Sequence, residues 1–365
     1  MNDAVWKGSG KGIRYAIIGA GMSGILAGIK LIARGETNFT IFEKGNDLGG
    51  TWRDNRYPGL TCDTPAHAYS YSFALNPQWS AYYATGPEIH AYFRTVATDR
   101  GVLPYIRYGS EVVSCNFDES AGTWAIGLAD GGTCEADVVF AASGVLHHPN
   151  VPDLPGLESF GGKAFHSARW DDSAVLDGTR VGVIGCGSTG IQIVNALSSR
   201  SARVVHFQRS PQWIMPVPQF DYTSEQKADF AKDPAKIEAI RRDPVYWENI
   251  YRFTDGVTDF NSPQIAQIEE ICRQNLENSV KDPELREKLR PNYRAACKRL
   301  IYSWEYYECV QRPAVFVETG GIERIEPEGV RMKDGTLHEL DVLVLAPGFK
   351  ADQFIRPATV TGRGG

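Results

Sequence analysis

The chain has 365 residues, of which 42% are hydrophobic and 22% charged, the composition of an ordinary globular protein. This length predicts two or three domains of roughly 150 residues each. The formal net charge of −6 argues against a protein that binds nucleic acid through an overall positive field. The sequence contains no apolar run near the ~20 residues of a membrane span, and its N-terminus lacks the apolar core of a signal peptide.

Seven cysteines are scattered along the chain, and no two have the C-x-x-C spacing of a zinc site or a local redox pair. An odd number of unclustered thiols fits a reducing compartment better than a secreted disulfide framework. We therefore expect a cytoplasmic protein with no metal site and with neither nucleic acid nor membrane as a partner. The sequence carries no signal for the oligomeric state.

The first predicted unit, residues 14–43, has the order strand, glycine-rich turn, helix, strand and acid. Its G-x-G-x-x-G motif consists of Gly19, Gly21 and Gly24. The first glycine permits the tight turn, the second lets the backbone approach a pyrophosphate, and the third lets helix and strand pack closely. Glu43 follows the second strand, where its carboxylate can accept hydrogen bonds from a ribose diol. The unit predicts a dinucleotide site.

The same unit recurs at residues 179–209. A predicted strand, 180–184, leads into a second glycine motif with the residues Gly185, Gly187, Ser188, Thr189 and Gly190. At the position of the acid stands Arg209, followed by Ser210. An arginine fork pairs well with a phosphate dianion, which an acid would repel. The second unit therefore predicts a preference for NADP(H) over NAD(H), unless Arg209 is a solvated surface charge.

A further repeat supports the pairing of the two units. Residues 137–144 and 341–348 are both apolar strands that open with Asp-Val and end in Ala-x-Gly. Each is interpreted as a strand buried on both faces that stops at a nucleotide site. The prediction is an α/β fold with two Rossmann-like dinucleotide-binding domains. Two such units describe the architecture of a two-domain flavoprotein, in which one domain binds FAD and the other a nicotinamide cofactor. Residues 1–150 are predicted to begin the FAD domain, 151–345 to form an inserted NADP domain, and 346–365 to start the return to the FAD domain.

Residues 224–300 are predicted to be a helical insertion in the second domain. Asp-Pro steps at 233–234, 243–244 and 282–283 are typical helix starts, with proline at the first helical position. An apolar stripe at helical spacing consists of Ile265, Ile268, Cys272 and Leu276. We interpret the stripe as core packing of the insertion rather than as a binding surface.

Three segments carry a resemblance to a known enzyme family. Residues 49–63 read GGTWRDNRYPGLTCD, residues 160–171 read FGGKAFHSARWD, and Lys298-Arg299 precedes a Tyr-Tyr pair. The first segment is similar to the G-G-T-W…Y-P-G…D signature of the Baeyer–Villiger monooxygenases. The second matches that family's F-x-G-x-x-x-H-x-x-x-W-[P/D] motif at every defined position. Related heteroatom-oxidising flavin monooxygenases usually end this motif in Tyr and a basic residue.

The resemblance implies an enzyme that uses FAD, NADP(H) and O₂ to insert oxygen next to a ketone carbonyl through a C4a-peroxyflavin, forming an ester or lactone. It implies that Arg299 and Asp63 are catalytic and that Lys298 serves the NADP phosphate. Further cofactor contacts are implied for Ser23, Thr51, Trp52, Asp63, Tyr69 and Val112. His166 is expected to have a structural or domain-coupling role. Taken singly, the Lys-Arg pair is also explained as solvated charge.

Two departures from the family pattern leave alternatives open. Family members usually continue with a segment that completes the FAD domain, so the resemblance implies a C-terminally truncated chain. Pro347 also stands where the family commonly has threonine, and proline removes a backbone donor. The alternatives are a flavin N- or S-monooxygenase and a truncated dinucleotide-binding remnant without oxygenase activity. A pyridine-nucleotide–disulfide reductase is disfavoured because no cysteine pair closely follows the first glycine motif.

Overall fold

The computed structural model of the chain describes residues 12–259 and 261–365. The described chain divides into two compact units. The first unit comprises residues up to 55, 86–149 and 349–365, and the second comprises residues 56–85 and 150–348. Residues 56–85, which the sequence analysis assigned to the FAD domain, group with the second unit.

The described residues form eighteen strands and ten α-helices. The strands are β1 Tyr15–Ile18, β2 Phe39–Phe42, β3 Ile106–Arg107, β4 Val112–Asp118, β5 Thr123–Leu128, β6 Thr133–Ala136, β7 Val138–Ala141, β8 Lys163–His166, β9 Arg180–Ile184, β10 Arg203–Phe207, β11 Ile214–Met215, β12 Ile301–Tyr302, β13 Val315–Glu318, β14 Ile322–Glu326, β15 Gly329–Met332, β16 Leu337–Glu339, β17 Val342–Leu345 and β18 Thr359–Thr361. The helices are α1 Met22–Ala33, α2 Thr51–Asp54, α3 Gly86–Asp99, α4 Ser188–Leu197, α5 Ser224–Lys232, α6 Pro234–Arg241, α7 Pro244–Thr258, α8 Pro263–Ser279, α9 Pro283–Lys288 and α10 Tyr306–Cys309.

The first unit contains two four-stranded sheets. One is parallel in the order β3-β2-β1-β7, and α1 connects β1 to β2 as the sequence predicted. The other has the order β18-β4-β5-β6, with antiparallel pairs except for β18 and β4. Buried side chains of both sheets, among them Ala16 and Ile126, form one hydrophobic cluster. This cluster anchors the strand that leads into the first glycine motif.

The prediction that residues 138–141 form a strand buried on both faces was wrong. No residue of β7 is buried, and Phe140 is 39% exposed. The reason is position, because among the described residues β7 is an edge strand that pairs only with β1. Its counterpart β17 lies between β9 and β8, and all four of its residues are buried, as predicted.

The second unit is built around a five-stranded parallel sheet in the order β13-β10-β9-β17-β8. A three-stranded antiparallel sheet, β14-β15-β16, packs on it through a cluster that includes Val330 and Leu343. β8 precedes the second glycine motif in the chain and pairs with β17 along its whole length. The NADP-type unit therefore begins earlier in the chain than its glycine motif.

The helical insertion contains α5 to α9, and the three predicted Asp-Pro helix starts are confirmed. Asp233, Asp243 and Asp282 each cap a helix, and each side chain accepts a hydrogen bond from a backbone N–H in the first turn. The predicted stripe on α8 is buried, and its members Ile265, Ile268 and Cys272 pack in one core cluster, which confirms their interpretation as core residues.

The insertion is helical only to Lys288, so the predicted end at residue 300 was too late. Pro291 explains the early stop, since proline lacks a backbone donor and disfavours helical conformation in the residue before it. The stretch from 289 to 300 instead carries Lys298 and Arg299 on irregular backbone that leads into β12. Over the described ranges, no helix combines the length and apolar character needed to cross a membrane.

Candidate nucleotide sites and the Asp63–Arg299 pair

The first glycine loop, residues 19–24, requires glycine at two positions for steric reasons. Gly19 has a φ of +99°, and a Cβ there would lie 2.6 Å from the Ala142 carbonyl oxygen. A Cβ on Gly24 would lie 1.9 Å from the Gly19 carbonyl oxygen. Helix α1 begins at N-cap Gly21, with no side-chain cap and no acid in its first turn. The positive end of the helix dipole is therefore not neutralised by an acid of its own first turn, as binding of a pyrophosphate requires.

Glu43 lies at the end of β2, directly beside this loop. Its buried carboxylate accepts hydrogen bonds from the backbone N–H groups of Ala20 at 2.9 Å and of Gly45 at 2.8 Å. The same carboxylate forms an ion pair of 2.7 Å with Arg53, a partner that the sequence analysis did not anticipate. Glu43 is thus anchored next to the glycine loop, while Arg53 contributes the opposite charge.

The other predicted FAD contacts of the first unit lie in three places. Ser23 is exposed in the first turn of α1, and Thr51 and Trp52 open α2. The start of α2 lies against the glycine loop, since a Cβ on Gly50 would be 3.1 Å from the Gly21 Cα atom. Val112 is the buried first residue of β4 and belongs to the core cluster of this unit.

The second glycine loop, residues 185–190, repeats this geometry in the second unit. Gly185 has a φ of +116°, and a Cβ there would lie 2.2 Å from the Ala346 carbonyl oxygen. A Cβ on Gly190 would lie 2.0 Å from the Gly185 carbonyl oxygen. These close approaches explain why both positions require glycine. The contact of Gly185 with Ala346 also places the Ala346–Pro347 step against the loop.

Two observations show that this loop fits a bound phosphate. A Cβ on Gly187, the N-cap of α4, would meet nothing within 4 Å, so the space above the helix end is open. The hydroxyl of Ser188 is buried and finds no hydrogen-bond partner in the described part of the chain. A buried hydroxyl without a partner is costly, and a phosphate oxygen would satisfy it.

Basic residues lie near this loop, since the charges of Arg209 and Lys298 both act on the thiol of Cys186 in it. Arg209 is exposed after β10, and the Lys298 ammonium donates a hydrogen bond to the Ser210 hydroxyl. The ammonium also lies 4.4 Å from the centre of the Tyr293 ring. Tyr293 was not predicted, since nothing in its sequence context distinguishes it from other tyrosines of the insertion. Lys298 and Ser210 are thus in contact although 88 positions separate them in the chain.

The structure also brings together the two residues implied to be catalytic. The Arg299 guanidinium donates a hydrogen bond of 2.5 Å to the Asp63 carboxylate. The Arg299 side chain remains 68% exposed, whereas that of Asp63 is 22% exposed. Burial lowers the pKa of Arg299, but attraction to the Asp63 carboxylate outweighs this and raises it above its ordinary value. Arg299 therefore stays a permanent cation with part of its guanidinium accessible.

The negative charge of Asp63 acts on four tyrosines, Tyr57, Tyr83, Tyr246 and Tyr302. Burial raises the pKa of each, and the negative charge of Asp63 raises it further. The pKa values of Tyr57 and Tyr302 are raised to about 12. All four hydroxyls are thus neutral at physiological pH, and Asp63 and Arg299 carry the charge there.

Tyr69 and His166 make other contacts in the second unit. Tyr69 is half-buried in a turn, where its N–H donates to the Pro65 carbonyl. The His166 Nδ1 accepts a hydrogen bond from the Ala168 N–H at 3.0 Å, so its Nε2 carries the proton and donates to the Gly348 carbonyl at 3.1 Å. His166 thereby ties the end of β8 to the loop after β17, and burial lowers its pKa.

Comparisons with known proteins agree with this geometry. The sequence model of the flavin-binding monooxygenase-like family matches residues 12–223. An uncharacterized monooxygenase of Mycobacterium tuberculosis is 41% identical over 352 residues, which cover 96% of this chain and 70% of that protein. A Baeyer–Villiger monooxygenase of Streptomyces coelicolor is 38% identical over 353 residues, which cover 97% of this chain and 67% of that protein.

Solved structures give the same result for the fold. The crystal structure of cyclohexanone monooxygenase from Rhodococcus sp. Phi1 bound to NADP⁺ has a TM-score of 0.83 and 31% sequence identity, covering 97% of this chain and 74% of that one. The predicted α/β fold and the resemblance stated from residues 49–63 and 160–171 are thus confirmed. The chain belongs to the flavin-binding monooxygenases and, within them, to the Baeyer–Villiger monooxygenase family.

Proposed function

We propose that this protein is an FAD- and NADPH-dependent monooxygenase that inserts one oxygen atom between a ketone carbonyl carbon and its neighbouring carbon. The overall reaction converts ketone, O₂, NADPH and one proton into ester or lactone, NADP⁺ and water. The observation that carries the proposal is the accessible Arg299 cation held on the Asp63 carboxylate, in a chain that matches Baeyer–Villiger monooxygenases over nearly its whole length.

The two glycine loops support binding of both cofactors. The first loop, with α1 and Glu43, would hold the pyrophosphate and ribose of FAD. The second loop would hold NADP(H), with the Ser188 hydroxyl and the open end of α4 facing its pyrophosphate. Arg209, Ser210 and Lys298 would hold the 2′-phosphate, because two cations and a hydroxyl match a dianion better than a ribose diol.

FAD, when bound, supplies the two-electron chemistry between NADPH and O₂ that no amino-acid side chain provides. The protein's own part is binding, orientation and charge stabilisation. Arg299 stays protonated at every physiological pH, so it offers fixed positive charge for the negative charge that develops on oxygen during insertion. Asp63 holds the guanidinium in place, and its own charge is offset by this contact.

Burial and the charge of Asp63 raise the pKa values of Tyr57 and Tyr302 to about 12, so both side chains are neutral at physiological pH. They therefore add no negative charge that would compete with Asp63 for the Arg299 cation.

The first experiment combines an absorbance spectrum with product analysis. The purified chain, loaded with FAD, is expected to show an oxidised flavin band that bleaches on anaerobic addition of NADPH. On addition of O₂ and a panel of cyclic and aryl ketones, esters or lactones should form in step with NADPH consumption.

The same mixture is then tested with sulfides and amines in place of ketones. Sulfoxide or N-oxide products without any ester would favour a heteroatom monooxygenase instead. A chain that takes up no FAD and binds NADP⁺ alone would reduce the function to nucleotide binding.

A further inference from the structure

The helix that follows the second glycine loop carries a glutamine with both ends of its amide engaged. Gln192 lies two residues beyond Gly190 on α4. Its Nε2 donates to the Thr61 carbonyl at 3.1 Å and to the Thr61 hydroxyl at 3.0 Å. Its Oε1 accepts a hydrogen bond of 2.9 Å from the Tyr57 hydroxyl. Since the Thr61 carbonyl can only accept, the chemistry fixes the orientation of the amide.

The segment that receives these bonds, residues 57–61, lies directly on α4. Gly59 has a φ of +81°, and a Cβ there would lie 2.6 Å from the Gln192 carbonyl oxygen and 3.0 Å from the Ala196 Cβ. No other residue type fits this approach without displacing the segment. The segment is therefore held by backbone packing at its centre and by the Gln192 amide at both ends.

The contacts also reach the nucleotide loop itself. The hydroxyl of Thr189, inside the glycine motif, donates to the Tyr57 oxygen at 3.2 Å. Tyr57 donates in turn to Gln192, and Gln192 donates to Thr61, so every hydrogen bond in the series points the same way. Such directed chains polarise one another, and each bond depends on the position of the previous donor.

The series ends two residues before Asp63, the partner of Arg299. We propose that Gln192 is a positioning residue that transmits occupancy of the second glycine loop to Asp63. NADP(H) bound at residues 185–190 restricts the motion of Thr189. The hydrogen bonds of Gln192 extend this restriction to residues 57–61 and so to the Asp63 carboxylate that holds Arg299. This inference rests on the proposed function for the presence of NADP(H), and it adds a residue that neither the glycine motif nor the family signature assigns.

Hydrogen–deuterium exchange tests the inference on the whole chain, with NADP⁺ as the probe and no turnover required. In the unaltered protein, NADP⁺ should slow exchange in peptides covering residues 57–65 as well as in the glycine loop. In Gln192→Met, which keeps the side-chain length but removes all three hydrogen bonds, NADP⁺ should still bind within about threefold of its normal affinity. Protection of the glycine loop should remain, and protection of residues 57–65 should be lost.

Two further variants separate positioning from a merely structural role. Tyr57→Phe keeps the ring and removes the hydroxyl link to Thr189, so it should also uncouple residues 57–65 from NADP⁺. Gln311→Met is the matched control, because the Gln311 amide also makes three hydrogen bonds in the same unit, none of them to residues 57–65. It should lower the melting temperature to a similar extent and leave the NADP⁺-dependent protection intact.

The outcomes distinguish this inference from the proposed function. Protection of residues 57–65 that persists in Gln192→Met, or that disappears equally in Gln311→Met, overturns the positioning role. If such a result is accompanied by ester formation in the unaltered protein, the proposed function stands. A chain that forms no ester but transmits NADP⁺ binding through Gln192 would retain the inference and lose the reaction. A chain that binds no NADP⁺ overturns both.

Discussion

The Arg299 guanidinium and the Asp63 carboxylate lie 2.5 Å apart although 236 positions separate them in the chain. Both residues belong to the second unit, which contains the second glycine loop as well. The cation that we assign to charge stabilisation is thus held by the same compact unit that we assign to NADP(H). Asp63 lies in residues 56–85, which are part of this unit.

Replacement of Arg299 by alanine should abolish most ketone oxidation while leaving flavin and NADPH binding close to normal. Removing one donor that stabilises a developing negative charge typically costs about 10²–10³ in rate. The measurement is ester formed per NADPH consumed, at matched flavin content. Arg242→Ala, which removes the exposed arginine that follows α6, is the control and should have no effect. Full oxygenation by the Arg299 variant would contradict its assignment.

Replacement of Arg209 by alanine should weaken NADPH binding and leave NADH binding little changed. A charge-assisted contact to a phosphate is worth about 1.5–3 kcal/mol, which corresponds to roughly tenfold to a hundredfold in Kd. Titration of both nucleotides by fluorescence measures the ratio. Arg200→Ala, at an exposed ion pair with Asp177 in the same unit, serves as the control. Equal losses for the two nucleotides would refute a role at the 2′-phosphate.

Two glycines of the second loop should respond differently to alanine. Gly190→Ala places a Cβ 2.0 Å from a backbone oxygen, so it should destabilise the protein by about 1–3 kcal/mol or more, as overpacking does. Gly187→Ala meets nothing within 4 Å and has an ordinary φ of −72°, so stability should hardly change. Its methyl group would nonetheless enter the open space above α4 and weaken NADP⁺ binding. Thermal melts and NADP⁺ titration of both variants measure these effects, and equal melting temperatures would contradict the packing argument.

The two sheets share an ion-pair arrangement that should contribute to stability against acid. Arg14 donates to Asp137 as Arg180 donates to Asp341, in each case through the backbone N–H and the guanidinium. These contacts lower the pKa of Asp341 below its ordinary value of 3.8. A lowered carboxyl pKa means stability that is present above pH 3.8 and is lost as the pH falls through the folded-state value.

Asp341→Asn should therefore lower the melting temperature at pH 7 by a few degrees or less, since the pair is partly exposed. The difference from the unaltered protein should shrink as the pH is lowered below 3.8. Melting curves across pH 2.5–7 are the measurement, with the exposed Asp177→Asn as the control. A difference that stays constant down to the lowest pH would mean that the carboxylate charge contributes nothing.

Local sequence patterns predicted those features that depend on neighbouring residues in the chain. The two motifs predicted close backbone approaches that only glycine permits, at Gly19, Gly24, Gly185 and Gly190. In the structure, a Cβ added at any of these positions would lie within 2.6 Å of a backbone carbonyl oxygen. The Asp-Pro steps similarly predicted three helix starts, because capping involves groups only two residues apart. Such rules act within one turn, so the tertiary structure has little opportunity to override them.

Features that depend on which distant segments lie next to each other were not predicted. Residues 138–141 and 342–345 have the same apolar pattern, yet one strand is at an edge and the other is central. Arg53 was likewise missed, because its pairing with Glu43 depends on the fold of α2 against the first glycine loop. Gln192 had a detectable signal, since it is a polar residue between Ile191 and Ile193, but its partners are 131 and 135 positions away.

The sequence by itself determined the two glycine loops, the basic residue at the second of them and the membership of the family, because each is written in contiguous residues. The tertiary structure alone decided which strand is buried, where the insertion stops being helical and which side chains surround Asp63. It also decided that Thr189, Tyr57, Gln192 and Thr61 form one directed series of hydrogen bonds. The physical reason is that burial and long-range hydrogen bonding are properties of packed surfaces, which form only when distant segments meet.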